Sequence, residues 1–309
     1  MPAAIKNLGP ITITGKLYRS DKQNCNISAI EAVHDRLIVG SDEGSTIKVL
    51  KSKGSGYKLE HTIALNEAGE IDIEGIACEA DTVYVIGSHA YKRPQIDPAQ
   101  PYADNRQTIA TILLEPQRDQ LFCFPLGDRP QIQRTSLRSV IESNPILQPF
   151  SRIPSKENGV DIEGLAVRQG QLYIGFRGPV LRDNWVPVLT CKFANPVVHS
   201  ELLFINLAGR GVRDLARVGD GFLVLAGPAG DGPGSYQLYF WDGQDCLPGQ
   251  RNSEPTGQIT LLGDIPVDAN LKAEGLTLLK ETDSAYQVVM VFDGAENGAP
   301  TRFKIKKQR

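Results

Sequence analysis

Asp72-Ile73-Glu74-Gly75-Ile76-Ala77 returns as Asp161-Ile162-Glu163-Gly164-Leu165-Ala166, and again, altered, as Lys272-Ala273-Glu274-Gly275-Leu276-Thr277. Each copy is followed by a turn and a short apolar run. Self-similarity of this kind marks a fold in which one supersecondary unit recurs. Around the copies, residues 36–39, 82–86, 171–176, 221–225 and 287–292 are rich in Val, Ile, Leu and Tyr and bounded by Gly, Asp and Asn. These are strand signals. Only residues 136–143 carry a helical pattern.

Working outward, five segments share one plan of strand, tight turn and second strand. They begin near Ile27, Asp72, Asp161, Gly211 and Lys272. Material for two more strands follows each of the first four: residues 46–50 and 57–65, 108–114 and 120–126, 186–193 and 201–207, 236–241 and 258–262. The fifth has only residues 301–306 before the chain ends. The N-terminal residues 11–18 are expected to supply its missing outer strand, which joins the two ends and removes an exposed sheet edge. The sequence therefore predicts an all-β fold: a single β-propeller over residues 1–309, with five blades of four antiparallel strands. Six blades are the alternative, because residues 92–106 form a long Pro-rich stretch. Residues 89–107 read as a loop insertion, and residues 136–160 as an inter-blade connection with a short helix.

Composition excludes several function classes. With 33 Lys and Arg against 36 Asp and Glu, the net charge is −3. No basic run exceeds the short Lys304–Lys307 tail, so no nucleic-acid partner is expected. No apolar stretch approaches the roughly 20 residues of a membrane span, so no membrane partner is expected either. Residues 1–10 lack the pattern of a signal peptide. The five cysteines, Cys25, Cys78, Cys123, Cys191 and Cys246, are scattered and odd in number. They read as free thiols of a reducing compartment. A cytoplasmic monomer is the expectation. A periplasmic or secreted location is the alternative if a leader has been trimmed.

In a propeller the first strand of each blade lines the central channel, and side chains alternate faces along a strand. Asp72 and Glu74 then point together, as do Asp161 and Glu163. The residues after each second strand share that end: Asp42 and Glu43, Ser88 and His89, Arg177, Asp293. Aligning Leu215-Ala216 with Leu165-Ala166 places Arg213 at the Glu163 position. Aligning Ala32-Val33 with Ala166-Val167 places Ala29 there. The expected ring is Glu74, Glu163 and Glu274 with Arg213 among them, and Lys272 where the other copies have Asp. Carboxylates crowded at an axis must take up protons, pair with cations or bind a metal. Ca²⁺ suits oxygen ligands drawn from several loops. Its candidate ligands are Glu74, Glu163, Glu274, Asp72 and Asp161. The plainer reading is that these groups tie blades together through backbone hydrogen bonds. The spacing of Ser88 and His89 does not support a Ser-His-Asp triad, and no zinc pattern is present.

Residues 85–89 (Val-Ile-Gly-Ser-His), residues 173–181 (Tyr-Ile-Gly-Phe-Arg-Gly-Pro-Val-Leu) and Ser41-Asp42-Glu43 with Ile47-Lys48-Val49-Leu50 carry a resemblance. They look like an uncharacterised bacterial family, domain of unknown function 3616, over about residues 26–293. The D-x-E-G phrase also resembles the phytase-like and esterase-like propellers. That resemblance implies acidic residues at the channel mouth holding Ca²⁺ and a phosphorylated substrate.

Two functions follow as expectations. In the first, the channel mouth binds a small anionic ligand or a protein partner, with or without a divalent cation. Arg177, Arg213, Ser88, Lys272, Asp42 and Asp293 would form that site. In the second, the same site is a Ca²⁺-dependent phosphoester or ester hydrolase. Glu163 or Glu74 would serve as base, and His89 as acid or base.

Overall fold

Two apolar runs flank a tight turn in every repeat, and the turn suits a hairpin. In the third repeat Gln169 and Gly170 both take left-handed backbone, with φ of 54° and 72°. Positive φ at both central residues matches the twist of the strands on either side. The computed structural model describes residues 5–65, 69–232, 234–249, 256–266, 268 and 271–307.

The hairpins build five antiparallel sheets arranged as propeller blades. From channel outward, blade 1 is Ile27–Val33, Arg36–Ser41, Thr46–Lys53 and Gly56–Ala64. Blade 2 is Ile73–Glu79, Thr82–Gly87, Leu121–Pro125 and Gln133–Thr135. Blade 3 is Asp161–Arg168, Gln171–Gly178, Trp185–Cys191 and Glu201–Asn206. Blade 4 is Gly211–Val218, Gly221–Gly227, Gln237–Trp241 and Ile259–Asp264. Blade 5 is Lys272–Glu281, Ala285–Asp293 and Thr301–Lys306, completed by Ile5–Pro10 from the other end of the chain. Each inner strand packs against the next, and that of blade 5 against that of blade 1, so the ring closes.

The core is not central. Five apolar clusters lie along the five seams between neighbouring blades. This explains the glycine of the repeated phrase. A Cβ on Gly164 would stand 2.9 Å from Val212 Cγ1, and one on Gly75 would stand 2.7 Å from Leu165 Cβ. The glycine is where the next blade comes closest.

The expected five-bladed architecture holds, and two strand assignments are corrected. The closing strand is Ile5–Pro10, not residues 11–18. Pro10 suits an outermost strand, where a missing N–H costs nothing. Leu17 and Tyr18 are instead buried in the seam between blades 5 and 1. In blade 2, residues 108–114 do not form the third strand. Tyr102–Ala110 is a helix with no buried residue, and Leu113–Leu114 pairs only with Tyr91–Lys92. Leu121, Phe122 and Phe124 bury fully or nearly so, and their strand takes the place beside Thr82–Gly87.

Candidate functional site

All five inner strands break register at the same point. One residue in each is bulged out of the ladder: Ser28, Glu74, Glu163, Arg213 and Glu274. A bulge re-aims a side chain and often sits beside a functional site. The equivalent of Glu163 in blade 1 is therefore Ser28, not Ala29. The ungapped alignment slipped by one residue, because Ile30 rather than Val33 anchors the match. Ser28 Oγ donates to the Ile73 carbonyl of blade 2 and so ties two blades.

Around these bulges lies a cavity of about 790 Å³ at the channel mouth. Asp42, Asp72, Glu74, Asp161, Glu163, Arg177, Lys272, Glu274 and Asp293 all line it. On the side of blades 3 to 5 a continuous chain of ion pairs forms. Arg177 lies 2.5 Å from Asp161 Oδ2 and 2.8 Å from Glu163 Oε1. Arg213 lies 2.8 Å from Glu163 Oε2 and also pairs with Glu274. Lys272 pairs with Asp293 at 2.7 Å. Arg213, Glu163 and Asp161 are each at most 3% exposed. Burial still pushes Asp161 and Glu274 up to about 7, despite the neighbouring guanidinium groups.

Blades 1 and 2 differ. Arg118, just before the third strand of blade 2, holds Asp72 at 2.6 Å and also pairs with Glu70. Asp72 itself is in left-handed backbone at φ 59°. Asp42 and Glu74 have no hydrogen-bond or ion-pair partner among the described side chains. The Oδ1 atom of Asp42 is buried without a partner. Burial, with the charges of Glu274 and Asp72, pushes Asp42 up to about 9. Burial, with the charges of Glu163 and Asp72, pushes Glu74 well above the carboxylate range.

Ser88 and His89 do not join the site. Both are fully buried and neither lines the cavity. One ring nitrogen of His89, Nδ1, lies 2.9 Å from the Gly87 carbonyl. The other, Nε2, accepts from the Leu137 N–H at 3.1 Å. Burial lowers this imidazole to about 4, so it stays neutral. The expectation of an acid or base at His89 is thereby corrected: both its nitrogens are engaged by backbone. Among the described residues no three His, Cys, Asp or Glu are placed to hold a metal ion. Asp72, Asp161, Glu163 and Glu274 each pair with a guanidinium group.

Sequence reasoning missed Arg118 and Asp214. Arg118 was legible in principle, since a third strand starts at the end where the second finishes. Asp214 stands where three copies have glycine. It is 2% exposed and accepts the N–H groups of Leu276 at 2.6 Å and Leu215 at 2.7 Å, which ties blade 4 to blade 5.

A five-bladed propeller with a closed ring of seams and a charged channel mouth is the class that fold and site define. The chain belongs to the family described as Protein of unknown function (DUF3616), matched over residues 26–140 and 129–305. Among curated proteins nothing matches. Among solved structures it is similar to the glutaminyl cyclase of Myxococcus xanthus, with 10% identity, a TM-score of 0.51, and 99% of this chain and 98% of that one covered. It is also similar to a glycosyl hydrolase from Bacteroides ovatus, with 9% identity, a TM-score of 0.47, and 99% and 94% covered. The likeness to the cyclase is one of fold.

Proposed function

We propose that the channel mouth binds a small ligand through a cationic group, an ammonium or guanidinium, seated between Asp42 and Glu74. One observation carries this reading: these two carboxyl groups line the cavity without a hydrogen-bond or ion-pair partner among the described residues, and Asp42 Oδ1 is buried in that state. The anionic ligand expected from Arg177 and Arg213 would need a free guanidinium. Arg177, Arg213 and Arg118 each already bridge at least two acids. The guanidinium groups are engaged and these two carboxyl groups are not, so the open positions of the site are acidic. At neutral pH the pair carries protons. A cationic group displaces them, so binding releases protons and tightens as pH rises.

Calorimetry with small primary amines and diamines, at pH 6, 7 and 8, tests the reading. The expected result is affinity that increases with pH, with proton release, and about tenfold weakening in Asp42→Asn or Glu74→Gln. No saturable binding of any cationic probe would sink it.

A hydrolytic reading keeps one observation in its favour. Glu74 is an unpartnered carboxyl held protonated, as a general acid must be. Asp161, titrating near 7 in the same cavity, would be the base. No step of this reading needs Ca²⁺. A substrate screen for ester and phosphoester cleavage should compare wild type with Glu74→Gln. Glu163→Gln is the poorer variant, because Glu163 supports two arginines. Absence of turnover in the wild type counts against this reading.

A further inference from the structure

Beside the channel mouth, on blade 1, lies a second cavity of about 470 Å³ lined by Tyr18, Arg19, Gln23, Ser45, Thr46 and Lys48. Glu43 and Glu70 form a wall shared with the first cavity. Both of those acids are already paired, Glu43 with Lys22 at 2.6 Å and Glu70 with Arg118.

The cations of this pocket are not paired. Lys48 is only 9% exposed. Its Nζ donates to Thr62 Oγ1 at 3.2 Å and sits 4.4 Å from the centre of the Tyr18 ring. Neither Lys48 nor Arg19 has a carboxylate within ion-pair distance among the described residues. A buried ammonium without a counter-charge is unfavourable. Burial accordingly holds Lys48 below the ordinary lysine range.

The wall that presents Lys48 is rigid. Asn24, 1% exposed, accepts the N–H groups of Leu17 at 3.1 Å and Tyr18 at 2.9 Å. It donates back to the Tyr18 carbonyl at 2.7 Å. Tyr18 Oη donates to the Thr46 carbonyl at 3.1 Å. The aromatic face, the ammonium and the cavity floor are thus held before any ligand arrives.

We propose that this pocket binds a small oxyanion, the carboxylate or phosphate group of a metabolite-sized molecule, between Lys48 and Arg19. Lys48 supplies a fixed, desolvated point charge, and an oxyanion gives it the counter-charge it lacks. Exposed Arg19 closes over the ligand from the rim. The inference does not rest on the cationic ligand of the channel mouth, since the two cavities carry opposite unpaired charges.

Inorganic phosphate and acetate are titrated separately into the full chain at pH 7 by calorimetry, with sodium chloride at matched ionic strength as control. Saturable binding of phosphate, acetate or both is expected, and the two arms identify which oxyanion the pocket prefers. Lys48→Met should weaken it at least about tenfold, the loss of one charge-assisted hydrogen bond. Arg19→Gln should weaken it several-fold. If Lys48→Met does not fold, Lys48→Gln replaces it, with the same weakening expected. Acylation of Lys48 in the wild type, followed by mass spectrometry, then gives a second reading, and the bound anion should slow it. Binding no greater than chloride, affinity unchanged in Lys48→Met, or acylation of Lys48 indifferent to both anions overturns the proposal.

Discussion

The two sides of the channel mouth use the same repeat position in opposite ways. Across blades 3 to 5 the bulged residues Glu163, Arg213 and Glu274 form a closed ladder that Arg177 and Asp161 extend. Across blades 1 and 2 the corresponding positions are Ser28, which ties to backbone, and Glu74, which has no hydrogen-bond or ion-pair partner among the described side chains. Asp42 stands beside Glu74 in the same condition. The first side is a strut, because each buried charge is paired within its blade or with the next. The second side is an opening, because Arg118 pairs with Asp72 and Glu70 while Asp42 and Glu74 form no ion pair among the described residues.

The largest expected effect comes from cutting the strut. Arg213→Met leaves Glu163 and Glu274 buried with one cation fewer, and should cost about 3–5 kcal/mol in urea unfolding. A loss below about 1 kcal/mol would show that the ladder is not structural. Glu163→Gln should come next, at about 2–3 kcal/mol, since two guanidinium groups lose their shared partner.

On the open side the sign reverses. The Asp42 carboxyl ionises near 9 in the folded chain, against about 3.9 when unfolded. Between those values the unfolded chain has released the proton and the folded chain still holds it. Stability attributable to Asp42 therefore falls as pH rises from about 4 to about 9. Asp42→Asn should gain stability over wild type steadily as pH rises from about 4 to about 8, and the gap should close towards pH 4. Urea midpoints for both proteins across that range measure it. A gap that stays constant with pH would remove Asp42 from the comparison. By the same sign, Glu74→Gln, which replaces a carboxyl protonated in the fold with an isosteric amide, should gain on wild type as pH rises through neutrality and match it near pH 4.

Much of this was legible in the chain. The glycines of the repeated phrase, the strand alternation and the end-to-end closure each have a local signature. So did the meeting of Asp161, Glu163 and Arg177, because a hairpin sets the end of one strand beside the start of the other. His89 was misplaced for a physical reason. Left-handed backbone at φ 53° turns it into the seam, where the Leu137 N–H occupies its second nitrogen. A polar residue after a strand looks the same in sequence whether it faces the channel or caps a backbone group.

By itself the sequence determined the repeating unit: a hairpin whose first strand starts, in four of the five copies, with the residue aimed at the axis. That is a property of alternation and turns, which act over a few residues. The tertiary structure decided which of the axial charges are neutralised. Arg213 meets Glu163 and Glu274 across 50 and 61 residues of chain, so their pairing exists only once the ring has closed. Glu74 reads like Glu163 in its own strand. It differs in forming no ion pair with an arginine among the described residues, whereas Glu163 meets both Arg177 and Arg213.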